Sequence, residues 1–181
     1  IKTVVVSCGT CYDQLEKYRF EDIFPGCRII DIHEYLLEKG VKLNGVQGQQ
    51  YLYHDPCHTP IKTMNATQMA SELIGQKVVL SDRCCGESGM FAVKRPDIAT
   101  QVKFRKQEEI EKNLKELPQG EPVKMLTTCP ACLQGLSRYA DDNDMPADYI
   151  VIEMAKHILG ENWLDEFVKK ANNGGVEKVL L

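Results

Sequence analysis

The sequence predicts an α/β fold: a mostly parallel sheet with helices on both faces, in a Rossmann-like three-layer arrangement. Three observations predict it. Short β-branched runs alternate with helical stretches along the chain, the order that parallel strands joined by crossover helices require. Glycines close several helical stretches, at Gly40, Gly75 and Gly160, where a left-handed residue ends a helix without a Cβ clash. Cysteines gather where strands end, and ligands of such sheets sit beyond the carboxyl ends of the strands.

Taken in order, Ile1-Lys2-Thr3-Val4-Val5-Val6 is a buried-strand run and places the first strand at Thr3 to Ser7. A chain that begins directly in such a run, with no initiator Met, is expected to be a piece of a longer polypeptide. A helix over Tyr12 to Tyr18 leads to a strand over Arg28 to Ile32, and a helix over Ile32 to Lys39 follows. Gln50 to His54 is a strand, Thr67 to Ile74 a helix and Lys77 to Ser81 a strand. The longest helix covers Asp97 to Leu117, with Pro96 in a first-turn position where no N–H is needed. Its Glu108, Glu109 and Lys112 read as i,i+4 charge pairs on a solvated face. Val123 to Thr127 is a strand, Ala131 to Ala140 a helix and Tyr149 to Ile152 a strand. Helices over Glu153 to Leu159 and Trp163 to Ala171 complete the series, and Gly174-Gly175 connects to a short terminal strand, Val176 to Leu181.

Composition narrows the function. An apolar fraction of 43% and a charged fraction of 27% over 181 residues are those of a globular domain with a sizeable core. A net charge of -4 argues against nucleic acid as a partner, since phosphate binding needs a basic face. No apolar run reaches the length of a membrane span, and the N-terminus has no signal-peptide pattern. The expected location is therefore cytoplasmic, where eight cysteines are better read as metal ligands or redox thiols than as a disulfide framework.

The chain also repeats itself. Val4-Val5-Val6-Ser7-Cys8-Gly9-Thr10-Cys11 is echoed by Met125-Leu126-Thr127-Thr128-Cys129-Pro130-Ala131-Cys132. The match extends to Leu15 with Leu136, Lys17 with Arg138 and Tyr18 with Tyr139, and then to Ile30 with Ile150, Ile32 with Ile152 and Gly40 with Gly160. Two homologous units are inferred: residues 1–45 are the end of a first cysteine-rich repeat, and residues 46–181 are a complete second one with a helical tail. Partners for Cys8 and Cys11 would lie upstream.

Within the second unit five thiols fall in three clusters: Cys57, the pair Cys84-Cys85 before Gly86, and Cys129 with Cys132. Five is one too many for tetrahedral zinc and an odd number for disulfides. An iron–sulfur cluster of unusual ligation would use all of them. Thiolates suit soft metals, and the Cys-x-x-Cys at a strand-to-helix junction places anionic sulfur at a helix N-terminus. Gly86 permits positive φ or a close backbone approach.

Cys57, Cys84-Cys85-Gly86 and Cys129-x-x-Cys132 together resemble the CCG cysteine-rich domain. That domain occurs in heterodisulfide reductase and in the iron–sulfur subunits of glycolate, lactate and anaerobic glycerol-3-phosphate dehydrogenases. The resemblance implies that Cys57, Cys84, Cys85, Cys129 and Cys132 hold a [4Fe-4S] cluster of non-cubane form. Cys8 and Cys11 match the closing pair of a preceding copy. The stretch from Thr128-Cys129-Pro130 through Tyr149-Ile150-Val151-Ile152-Glu153-Met154 to Gly160-Glu161-Asn162-Trp163, with Asn172-Asn173-Gly174-Gly175, is similar to the end of large bacterial FAD/FMN-binding oxidoreductases related to D-lactate dehydrogenase. This implies upstream FAD- or FMN-binding and ferredoxin-like domains as partners. It also implies electron transfer within a flavin-linked 2-hydroxy-acid dehydrogenase, at a site in the cytoplasm or peripheral to the inner membrane.

Other readings accompany this one. Four of the five sulfurs could hold zinc in a structural or interaction module. Cys129 and Cys132 could act as a thiol–disulfide reductase, which leaves Cys57 and the adjacent pair without a role. His54 and His58, flanking Cys57, are read as turn or hydrogen-bonding residues beside the ligands, and Asp55 as a turn cap. Cys27 is a structural thiol, and His157 is a helix-end residue without chemistry.

Overall fold

Tyr51, Leu52 and Tyr53 are consecutive and all buried, so their strand must be covered on both faces. The computed structural model, which describes residues 1–87 and 89–174, provides that cover. In chain order its elements are β1 (Thr3–Val6), α1 (Gly9–Lys17), α2 (Phe20–Ile23), β2 (Arg28–Asp31), α3 (Ile32–Glu38), β3 (Gln50–His54), α4 (Ala66–Ile74), β4 (Val78–Leu80), α5 (Phe91–Lys94) and α6 (Pro96–Glu116). There follow β5 (Val123–Thr127), α7 (Pro130–Leu136), a 3-10 turn (Ser137–Tyr139), α8 (Ala140–Asn143), β6 (Ala147–Tyr149), α9 (Ile150–Leu159) and α10 (Trp163–Asn172). The terminal strand read over Val176 to Leu181 lies outside the described residues.

Every strand pair among the described residues is parallel. The strands form two sheets: β1 pairs with β2, and four strands take the order β4-β3-β5-β6. On one face Tyr51, Tyr53 and Leu126 pack with Met69, Ala70, Leu73 and Ile74 of α4 and with Ile150 and Met154 of α9. On the other, Leu52 and Met125 pack with Ile110 of α6 and Cys132 and Leu136 of α7. Register explains the division: Leu52 lies opposite Met125 and Tyr53 opposite Leu126, and alternate residues point to opposite faces. The result is a three-layer sandwich whose central strands, β3 and β5, are buried on both sides.

Strand order fixes where a ligand can sit. From β3 the chain crosses to β4 by α4, then returns past β3 to β5 by α6 on the opposite face. The winding therefore reverses between β3 and β5, the topology that leaves a crevice at the carboxyl ends of such strands, here after His54 and Thr127.

Local signals hold the frame. Asn65 caps α4 by accepting from the Gln68 amide at 3.0 Å, and Gly75 ends it in the left-handed region. A Cβ at Gly75 would stand 2.2 Å from the Leu43 carbonyl oxygen, so no other residue fits. Gly160 has φ 95 and ψ 161; it terminates α9 in an extended glycine conformation, not the left-handed one expected.

Two readings of the sequence are corrected. The apolar run Tyr149 to Ile152 is not a strand: β6 ends at Tyr149, and Ile150 opens α9. Its β-branched residues suited a strand, but Ile150 is needed in the core below the sheet, and tertiary burial outweighs a weak propensity. The repeat alignment slides accordingly. Both Cys8 and Cys129 cap their helices in extended backbone, yet Ile32, not Ile30, corresponds to Ile150 as the first residue of the helix after its strand. The second correction concerns α6, which is not wholly a charged surface helix: Lys106, Ile110 and Asn113 are buried.

The β1–β2 unit is joined to the larger sheet next to the crevice. The Tyr149 hydroxyl lies within hydrogen-bonding reach of the carbonyl oxygens of both Ser7 and Thr128, the latter at 3.0 Å. Gly9 presses against the loop after β3, where a Cβ would fall 1.8 Å from the His58 carbonyl oxygen.

Candidate metal centre

Three loops supply the cysteines, each following a strand of the four-stranded sheet. After β3 come His54, which is buried, and Cys57, which is exposed. After β4 the backbone bends twice through positive φ, at Arg83 (φ 73) and Gly86 (φ 77). Between these bends the adjacent pair divides: Cys84 faces out and Cys85 is buried. After β5, Cys129 caps α7 and Cys132 lies in its first turn, buried.

These loops meet at the crevice. Cys85 and Cys132 bring their sulfurs to 3.3 Å. A ring nitrogen of His54 and these two Sγ atoms all lie within 4.8 Å of one another, and all three residues are buried. Cys129 adjoins Cys132. Cys57 and Cys84 stand outside the tight group, on the solvent side, but the Cys57 charge is among the influences that raise Cys84.

The thiols divide by charge. Hydrogen bonding to Cys132 holds the Cys85 thiol well below the ordinary range against the opposing effect of burial, with His54 assisting. Cys129 is lowered to about 6 by its bond to Cys132, against burial, with the Cys132 and Ala131 amides assisting. Cys132 moves upward, because it bonds to both neighbouring sulfurs. Hydrogen bonding within the group thus favours the thiolate at Cys85 and Cys129 over Cys132. Burial raises Cys84. Clustered low-pKa thiols are what a soft metal displaces protons from, so the donor set fits a metal–sulfur site.

The flanking histidines part company. His54 lies against the sulfurs, a ring nitrogen within 4.8 Å of both Cys85 and Cys132. His58 is turned to the surface, its Nδ1 3.2 Å from Asp13. Asp55 accepts the Tyr53 hydroxyl at 3.2 Å. Cys27 is buried and His157 pairs with Glu153 at 3.3 Å. Cys8 and Cys11 adjoin each other at the start of α1, and the Cys8 thiol raises Cys11.

Two residues that shape the site escaped the sequence reading. Lys106 is fully buried behind the sulfurs, and its Nζ donates to Ser81 O at 2.8 Å, Ser81 Oγ at 3.0 Å and Asp82 O at 2.6 Å. It thereby pins the loop that carries Cys84 and Cys85 to α6. Its spacing to Ile110 and Asn113, i+4 and i+7, was the available signal. Gly135 in α7 lets the same loop approach: a Cβ there would stand 2.8 Å from Glu87 Cβ and 3.1 Å from the Cys85 carbonyl oxygen. Arg138 closes this contact with an ion pair to Glu87.

Comparison with known families agrees with this geometry, for the family described as "Cysteine-rich domain" (CCG) matches residues 51–137. Residues 51–137 are thus similar to that cysteine-rich domain. They run from Tyr51 in β3 through α7 and contain all five cysteines of the three loops. A second family, described as a domain of unknown function (DUF3400), matches residues 137–181, beyond the cysteine-rich domain. The chain is 23% identical over 164 residues to an uncharacterized iron-sulfur protein of Methanococcus maripaludis, with 85% of this chain covered. It spans 31% of that relative's length. No solved structure matches the chain. No helix among the described residues is long and apolar enough to cross a membrane.

Proposed function

We propose that the cysteine-rich domain is an iron–sulfur electron-transfer module, with Cys57, Cys84, Cys85, Cys129 and Cys132 as the ligands of a [4Fe-4S] cluster. The observation that carries this is the meeting of Cys85, Cys129 and Cys132 at the crevice between β3 and β5, with two of these thiols held toward the thiolate. Cys84 and Cys57 are exposed, and the Cys57 charge acts on Cys84; in this reading they complete the ligation from the solvent side. The iron–sulfur relative supports the choice of iron. Bound there, such a cluster supplies reversible one-electron chemistry. The chain's own residues hold it, exclude water on the sheet side and leave the Cys57–Cys84 side open to a partner. The donor in this reading is a reduced FAD or FMN, reached through ferredoxin-like domains upstream, within a dehydrogenase of 2-hydroxy acids. Residues 1–45 are the end of a preceding cysteine-rich repeat, and Cys8 and Cys11 serve that repeat's cluster.

A second reading has one specific observation in its favour. His54, Cys85, Cys129 and Cys132 are the donor types of a closed zinc site. Iron, acid-labile sulfide and zinc analysis with EPR, on protein prepared without oxygen, separates the two. The iron–sulfur reading expects iron and sulfide in equal amounts, lost in Cys57→Ser and Cys84→Ser as well as in Cys85→Ser. One zinc per chain that survives Cys57→Ser and Cys84→Ser would replace it with a structural site.

A further inference from the structure

A buried ammonium is unfavourable unless its charge is answered. The oxygens around Lys106 Nζ, those of Ser81 and Asp82, belong to carbonyls and a hydroxyl and are neutral. The charges that act on it are those of Cys85, Glu109, Asp82 and Cys132, with Cys85 foremost. Asp82 is exposed and Glu109 half-buried, whereas Cys85 and Cys132 are buried. Burial pushes Lys106 down to about 8 while the Cys85 charge holds it up. Three acceptors within 3.0 Å of Nζ take three N–H donors, the pattern of an ammonium.

The fourth neighbour of Nζ is His54 Nδ1, at 3.4 Å. An ammonium has hydrogens to give and no lone pair, so Nδ1 must present its lone pair and the ring proton must sit on Nε2. Nε2 is buried and has no hydrogen-bond partner among the described residues. Yet the His54 ring reaches within 4.8 Å of both the Cys85 and Cys132 sulfurs. A buried N–H without a partner marks a place where something outside the side-chain set is accommodated.

We propose that Lys106 is a positioning residue for the cysteine site. It locks His54 as the Nε2–H tautomer, and that N–H, with the ammonium behind it, stabilises the negative charge that the metal–sulfur group gains when it accepts one electron. The proposal rests on the iron–sulfur reading above. Hydrogen bonds to sulfur and nearby charge are levers on cluster potential, and here both descend from one lysine on α6.

The test uses the full chain reconstituted without oxygen and titrated with dithionite, with iron and sulfide measured on the same samples. Lys106→Met, at iron and sulfide content equal to the parent, is expected to shift the midpoint potential to a more negative value, and Lys106→Arg to restore part of the shift. Equal potentials at equal iron content would overturn the proposal. Nitrogen-15 NMR of the unsubstituted, metal-free chain tests the tautomer without any variant: a proton on Nε2 and none on Nδ1 is expected, and an Nδ1-protonated ring would overturn it. Absence of iron uptake by the parent would remove the iron–sulfur reading and the potential-setting role with it. The NMR result would then still decide whether Lys106 orients His54.

Discussion

At the scale of single residues, the site depends on close approaches that only small or bent residues allow. Gly135 is the clearest case, because its missing Cβ is where Glu87 and the Cys85 carbonyl sit. Gly135→Ala should destabilise the fold by about 1–3 kcal/mol, as overpacking does, and should weaken metal uptake because the displaced segment carries Cys85. Thermal unfolding and metal content of the variant check both. Gly86 was legible in the sequence: its neighbours Cys84-Cys85 demanded a bend, and it takes φ 77. Arg83 was not, since nothing in an arginine announces the left-handed φ 73 it adopts. His54 was legible as a neighbour of the ligands, but its partners Cys85 and Cys132 lie far along the chain, beyond the reach of spacing arguments.

Among the elements, α6 shows how a charged pattern can conceal an inward face. Its exposed Glu and Lys residues dominate the reading, while Lys106 and Ile110 fasten it over the site. Ile110→Ala should cost about 2–5 kcal/mol by opening a cavity, seen as a lower urea midpoint, and should accelerate amide exchange in the Cys84–Cys85 loop. On the opposite face α9 is tied to the sheet by Glu153, which is buried, accepts the Tyr51 hydroxyl at 2.6 Å and pairs with Lys124 at 2.7 Å. Burial would raise the Glu153 carboxyl, but Lys124 and Tyr51 outweigh it and leave it below the usual range. A carboxyl depressed by folding contributes stability above its unfolded value, about 4.3, and loses it as pH falls through the lower folded value. Urea midpoints should therefore fall between about pH 6 and pH 3 by more in the parent than in Glu153→Gln. Equal slopes would mean that Glu153 does not carry this dependence. The misplaced strand at Tyr149 to Ile152 belongs to this scale too: a short apolar β-branched run cannot be told from the first turn of a buried helix by period alone.

For the whole molecule, the question is how the β1–β2 unit is held against the cysteine-rich domain. Tyr149 reaches the residues that precede both helix-capping cysteines, Ser7 and Thr128. Removal of its hydroxyl in Tyr149→Phe should cost about 1 kcal/mol, the net worth of one hydrogen bond, and raise exchange at β1 amides more than at β3. Uniform exchange across the two sheets would show that the hydroxyl does not join them. At this scale the alternation of strands and helices, the three-layer class and the three cysteine loops follow from the sequence alone. Period, turn residues and the position of each loop after a strand are local properties. Tertiary structure alone decided which sulfurs meet, why Cys84 and Cys85 face opposite ways, and that a lysine from a surface-patterned helix lies behind them. Those outcomes depend on strand order and on which helix face is buried, quantities that form only when segments distant in sequence pack together.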